Sequence, residues 1–137
     1  MPHSLNDEAP ESIKKITEAV LGFQVDANIA VLSGQLVRAN VQKSDEYPSL
    51  AVFKIDGSDR PFDASRPLSV EARLRDKHNN PLHAIVYVDA GDNLLAIEVF
   101  AWSKWESEID VGSAKRASYD SNGLSLPSVS NSDQCAP

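Results

Sequence analysis

Leu68-Ser69-Val70-Glu71-Ala72-Arg73-Leu74-Arg75 alternates apolar and polar side chains without a break. A strand turns its side chains to opposite faces at successive residues, so Leu68, Val70, Ala72 and Leu74 share one face and Glu71, Arg73 and Arg75 the other. Asp76 to Pro81 interrupts the pattern, and Asn79-Asn80-Pro81 is a strong turn signal. Leu82 to Val88 reads as a second strand, Asp89-Ala90-Gly91-Asp92-Asn93 as a second turn, and Leu94 to Ala101 as a third strand. Three strands joined by such short connections predict an antiparallel meander.

Outward from the meander the signals change. Leu50 to Ile55 is a short apolar strand, and Val37, Ala39 and Val41 alternate with Arg38, Asn40 and Gln42 as a half-buried strand does. Residues 43–48 and 56–67 read as loops, punctuated by Pro48, Gly57, Pro61 and Pro67. Ser33-Gly34-Gln35 reads as a turn, and Ile29 to Leu32 is an apolar run of either type. Phe23, Val25 and Ala27 show a period of two.

A helix is predicted from about Pro10 to Leu21. Pro10 suits the first turn, where a missing N–H costs nothing. Asp7, Glu8 and Glu11 sit near the positive end of the helix dipole. Ile13, Ile16, Val20 and Leu21 fall on one face, and Gly22 follows as a stop. The helix needs a cover for its apolar face, and the sheet needs one too. The expected fold is therefore α+β, an N-terminal amphipathic helix packed on an antiparallel sheet of about four to six strands. Trp102 and Trp105 close the core, one of them as a core-sealing residue and the other at a rim. The chain turns Ser-rich from Gly112, so the reading is one domain over 1–111 and a flexible tail over 112–137.

The whole chain has 137 residues and a formal net charge of −7. That charge argues against a nucleic-acid binder, which needs cations to displace counterions, and against docking on anionic membranes. It suits first a charge that simply keeps the protein soluble, and second a protein that meets a basic protein partner. Cys135 is the single cysteine, so no intrachain disulfide is expected and a reducing cytoplasm is compatible. No secretory signal or membrane span is expected.

Pro81 to Val99 carries a further pattern: a strand opening near a Pro and His, a Gly-containing turn, and a strand ending in the triplet Ile97-Glu98-Val99. This hairpin resembles that of small, uncharacterised bacterial α+β domains, some of which are immunity proteins beside toxins. The resemblance covers about a fifth of the chain. It implies a partner-binding role and brings no catalytic residues.

Candidate chemistry is sparse. There is no Gly-x-Ser-x-Gly elbow and no phosphate loop. His83 has a ligand or general-base reading beside that of a half-exposed strand residue; His3 lies in a floppy terminus and His78 in a turn. Asp56, Asp59 and Asp63 lack the spacing of a calcium loop, and Asp is favoured in turns anyway. Arg73, Arg75, Lys77 and His78 lie close together, Arg73 and Arg75 on one strand face; the first reading is a solvated face paired with acids on adjacent strands, and the alternative is a patch for an anion or an acidic partner. No catalytic set, metal or cofactor is expected. The sharpest expectation is a non-catalytic inhibitor or immunity protein that occludes a basic partner, with Asp89, Asp92, Glu98 and Glu106 steering and Trp102 as anchor. The alternative is a ligand-binding or enzymatic domain with a pocket between helix and sheet, lined by His83, Tyr87 and Glu98.

Overall fold

The computed structural model describes residues 3–24, 29–55 and 66–117. Helix α1 is Pro10–Leu21, with Ile13, Ile16, Thr17, Val20 and Leu21 buried along one face. Helix α2 is Ile29–Arg38. The strands are β1 (Ala39–Lys43), β2 (Leu50–Ile55), β3 (Arg66–Asp76), β4 (Pro81–Val88), β5 (Leu94–Ala101) and β6 (Ile109–Arg116). They form one antiparallel sheet in the order β1-β2-β5-β4-β3-β6. The architecture is α+β, with helices packed on an antiparallel sheet.

The meander β3-β4-β5 forms the middle of the sheet, in register at Leu74, Leu82 and Ala101 and at Arg73, His83 and Phe100. Its inward residues Ala72, Leu74, Ala84, Val86, Ile97 and Val99 are buried against the helices with Phe53 and Trp105. Each turn uses one residue in the left-handed region, Asn79 at φ 68° and Asp92 at φ 63°. Asn and Asp tolerate that region better than most side chains. Leu95 is the extra residue where the β4–β5 register shifts, since Tyr87 faces Ala96 while Val88 faces Leu94.

Four expectations need correction. Ser33-Gly34-Gln35 is no turn; it lies inside α2, where Leu32, Gln35 and Leu36 make the buried face. Gly34 costs a helix about 1 kcal/mol against Ala, and packing of that face offsets it. Gln35 adds two side-chain bonds, accepting from Leu94 N–H at 2.8 Å and donating to Asn93 Oδ1 at 2.8 Å. Val37 consequently belongs to the helix and is 80% exposed, so the strand pattern begins only at Ala39. Strand β6 runs through Gly112 to Arg116, so the sheet continues past the tail boundary expected at 112. Finally, His3 is anchored. Its N–H donates to Trp105 O at 2.9 Å, and its Nε2 meets Glu8 Oε2 at 2.5 Å. Glu8, 3% exposed, also accepts from Ser12 Oγ and Ile109 N–H, which ties the N-terminus to β6.

The expected strand residues Val25 and Ala27, the loop with Asp56, Asp59 and Asp63, and positions 118–137 of the tail lie outside the described residues. Among the described residues, no helix is long and apolar enough to cross a membrane.

Candidate binding site

The two helices cover one face of the sheet, and alternation along the meander sends a second set of side chains to the other, outer face. Cross-strand register arranges these in rows. One row runs Lys115, Arg73, His83, Phe100 across β6, β3, β4 and β5. The next holds Glu71, Ile85, Glu98 and Leu50, and a third Tyr87, Ala96 and Val52.

Polar groups pair within this face. His83 Nε2 lies 2.5 Å from Glu71 Oε1. That nitrogen faces an acceptor, so it carries the proton, and Nδ1 is left on the other side of the ring. Nδ1 is buried and has no hydrogen-bond partner, and Arg73 Nε is in the same condition. Tyr87 donates its hydroxyl to Glu98 Oε1 at 2.9 Å. Burial first, then that hydrogen bond and the charges of Glu98 and Glu71, push the phenol up to about 12. The cause is that a phenolate would be created beside carboxylates in a partly desolvated place.

An aromatic cluster closes one end of the face. The His83 ring lies 5.3 Å from Phe100 and 5.8 Å from Trp102, and Trp102 stands edge-on to both. His83 is 4% exposed, so it is a buried residue and not the half-exposed one expected. Glu98 is half-buried where solvent exposure was the simple expectation. The two tryptophans divide as the sequence suggested. Trp105 is 5% exposed, in the core, with its indole N–H donating to Ser107 O at 2.8 Å, while Trp102 is 56% exposed.

The five residues expected to contact a partner occupy two ends of the sheet. Trp102 and Glu106 lie together, since Trp102 N–H bonds to Pro81 O and Glu106 accepts from the neighbouring Asn80 side chain. Glu98 is four residues upstream of Trp102 along β5. Asp89 and Asp92 sit in the β4–β5 turn at the far end. Ten residues separate Asp92 from Trp102, roughly 30 Å at about 3.3 Å per strand residue. Asp89 Oδ1 accepts from Gly91 and Asn93 N–H, which makes it a turn-forming group, and Asp92 pairs with Arg66. Glu106 is held below the usual carboxylate range by the Asn80 side chain and Lys104. His83, Tyr87 and Glu98 do come together, but on the face away from the helices. The space between helix and sheet is filled by buried apolar side chains.

Sequence reasoning missed Glu71 and Phe100 as members of this cluster, although period-two alternation places both on the face of His83. It also missed Asp76, 2% exposed at the end of β3. Asp76 accepts five hydrogen bonds: His78 N–H and Asn80 N–H at Oδ1, and Asn80 Nδ2, Glu106 N–H and Ser107 N–H at Oδ2. Burial alone would raise its pKa, but these donors outweigh it and hold the carboxyl down at about 2. The signal available was an Asp four residues before Asn80, at a turn.

Among the described residues, no three His, Cys, Asp or Glu side chains are grouped to hold a metal ion. In comparisons with known proteins, no family model, no curated protein and no solved structure matches this chain.

Proposed function

We propose that the chain is a non-catalytic protein-binding domain that docks a basic partner around Trp102, in the manner of an inhibitor or immunity protein. The observation that carries the proposal is a tryptophan 56% exposed yet seated on Phe100 and His83. An indole already held by two rings loses little freedom on binding, and such residues dominate interface energies. The net charge of −7 supports steering of a basic partner over long range. A standard interface covers about 800 Å² per partner, a patch roughly 30 Å across. Centred on Trp102 it takes in Glu106 and Glu98, and it leaves Asp89 and Asp92 outside. We therefore place the steering acids of direct contact at Glu98 and Glu106. The single cysteine fits a reducing compartment such as the cytoplasm as the setting.

The test is capture from a bacterial lysate on immobilised wild-type chain and on Trp102→Ala, at low and moderate salt. A stoichiometric partner that weakens with salt and is lost on Trp102→Ala supports the reading. A partner held equally well by the variant refutes the placement, and no partner on either bait refutes the docking role.

A further inference from the structure

The outer-face row Lys115, Arg73, His83, Phe100 contains an unmet hydrogen-bonding demand. Arg73 and His83 are register partners on β3 and β4, so their side chains lie side by side. Arg73 Nε and His83 Nδ1 are both buried without a hydrogen-bond partner. Buried polar atoms in folded proteins nearly always have partners, and one without a protein partner is met by a water, an ion or a ligand, or serves a role of its own. No ion pair of Arg73 is found among the described residues, and the nearest acid along the same strand face, Glu71, is bonded to His83 Nε2. On its other side Arg73 faces Lys115 in register across β6. Like charges directly opposite destabilise a sheet, and an anion between them removes that cost. Arg75 does not offer this relief, since its guanidinium donates to Asn79 O.

The row continues into aromatic rings. From Arg73 to Phe100 is two strand spacings, roughly 10 Å, and Trp102 stands beside Phe100 at 6.0 Å between centroids. The cationic end and the aromatic end are thus about one small molecule apart. We propose that this row binds a small aromatic carboxylate, its carboxylate held by Arg73 and Lys115 and its ring against Phe100 and Trp102. The guanidinium fork suits two carboxylate oxygens. His83, oriented by Glu71 through Nε2, can donate from Nδ1 to the carboxylate only when its ring is protonated, because a carboxylate accepts and does not donate. This site shares Trp102 with the proposed docking surface, and Arg73 and Lys115 are the residues that the docking reading does not use.

The test is titration of the full chain with 3-phenylpropionate, followed by ¹H–¹⁵N spectra of the Arg73 Nε–H and the Trp102 indole N–H. The expected result is a saturable shift of both signals, with a dissociation constant of about 1 mM or tighter. The uncharged 3-phenylpropionamide and plain acetate are each expected to bind at least about tenfold more weakly, which is one pairing lost. Arg73→Gln should abolish saturation. Lys115→Gln, at an exposed position that leaves the fold intact, should weaken binding several-fold. No saturable shift, or equal binding by the amide, overturns the anion site. Equal binding by acetate or inorganic phosphate overturns the aromatic half and leaves an adventitious ion only. Loss of partner capture on Trp102→Ala with capture kept on Arg73→Gln separates this site from the docking role.

Discussion

Replacing Asp76 with Asn should be among the most damaging isosteric changes available in this chain. The carboxylate receives five N–H donors from the β3–β4 turn and from residues 106 and 107. An amide accepts at one atom only. With its oxygen kept toward His78 and Asn80 N–H, its NH₂ is aimed at Asn80 Nδ2, Glu106 N–H and Ser107 N–H. A stranded donor costs about 1–3 kcal/mol where water cannot reach it, which holds for Asn80 Nδ2, while the part-buried Glu106 and Ser107 amides regain water and add less. The acid-base side gives a similar figure. A carboxyl held at about 2 against an ordinary 3.8 stabilises the fold by roughly 2 kcal/mol at neutral pH. The expected loss is therefore about 2–4 kcal/mol, a fall of roughly 1–2 M in the urea midpoint. The folded pKa is the depressed one, so the contribution is fully present above 3.8 and is lost as pH falls toward about 2. Asn has nothing to titrate there. Urea unfolding of both proteins should give a constant gap from about pH 7 to about pH 5 that narrows below about pH 4. A gap under about 0.5 kcal/mol at neutral pH, or one unchanged into strong acid, would refute the hydrogen-bond account.

Other outcomes follow from the same structure. Alkaline absorbance titration, with Tyr87→Phe subtracted to isolate the one phenol, should place Tyr87 at about 12, and Glu98→Gln should bring it down; a Tyr87 transition that Glu98→Gln leaves in place would exclude the contact. Because this folded value is raised, the neutral phenol's contribution is present below the ordinary 10 and is lost as pH climbs through about 12. Gln35→Ala should cost about 1–3 kcal/mol by stranding the buried Leu94 N–H, read as a lower urea midpoint and as faster hydrogen exchange of that amide; unchanged exchange at Leu94 would show that α2 is not clamped there. Trp105→Ala should cost about 3–5 kcal/mol as a core truncation, whereas Trp102→Ala should cost about 1 kcal/mol or less as a surface one, and equal losses would contradict the division between them.

The legible part of this fold is the part where one physical signal acts alone. In β3, β4 and β5 period-two alternation is uninterrupted, and the turns between them carry Asn and Asp where the backbone enters the left-handed region. Helix α1 has its Pro, its acidic start and its apolar face in agreement. Helix α2 fails that test because Ser33 and Gly34 oppose it locally. What secures it is long-range, a glutamine whose amide reaches the β4–β5 turn 58 and 59 residues away. No local pattern encodes such a contact. Strand β6 was hidden for a related reason: Gly112, Ser113 and Ala114 have weak strand preference, yet pairing with β3 orders them. The site divides the same way. Alternation alone puts Glu71, Arg73, His83, Tyr87, Glu98 and Phe100 on one face. What it cannot supply is the strand order that sets Arg73 beside Lys115 and His83 beside Phe100. The charge count pointed to scattered acids, but proximity across strands decides which charges are answered. Asp92 meets Arg66 and Glu71 meets His83. Arg73 faces Lys115 across β6, and its Nε is buried with no hydrogen-bond partner among the described residues.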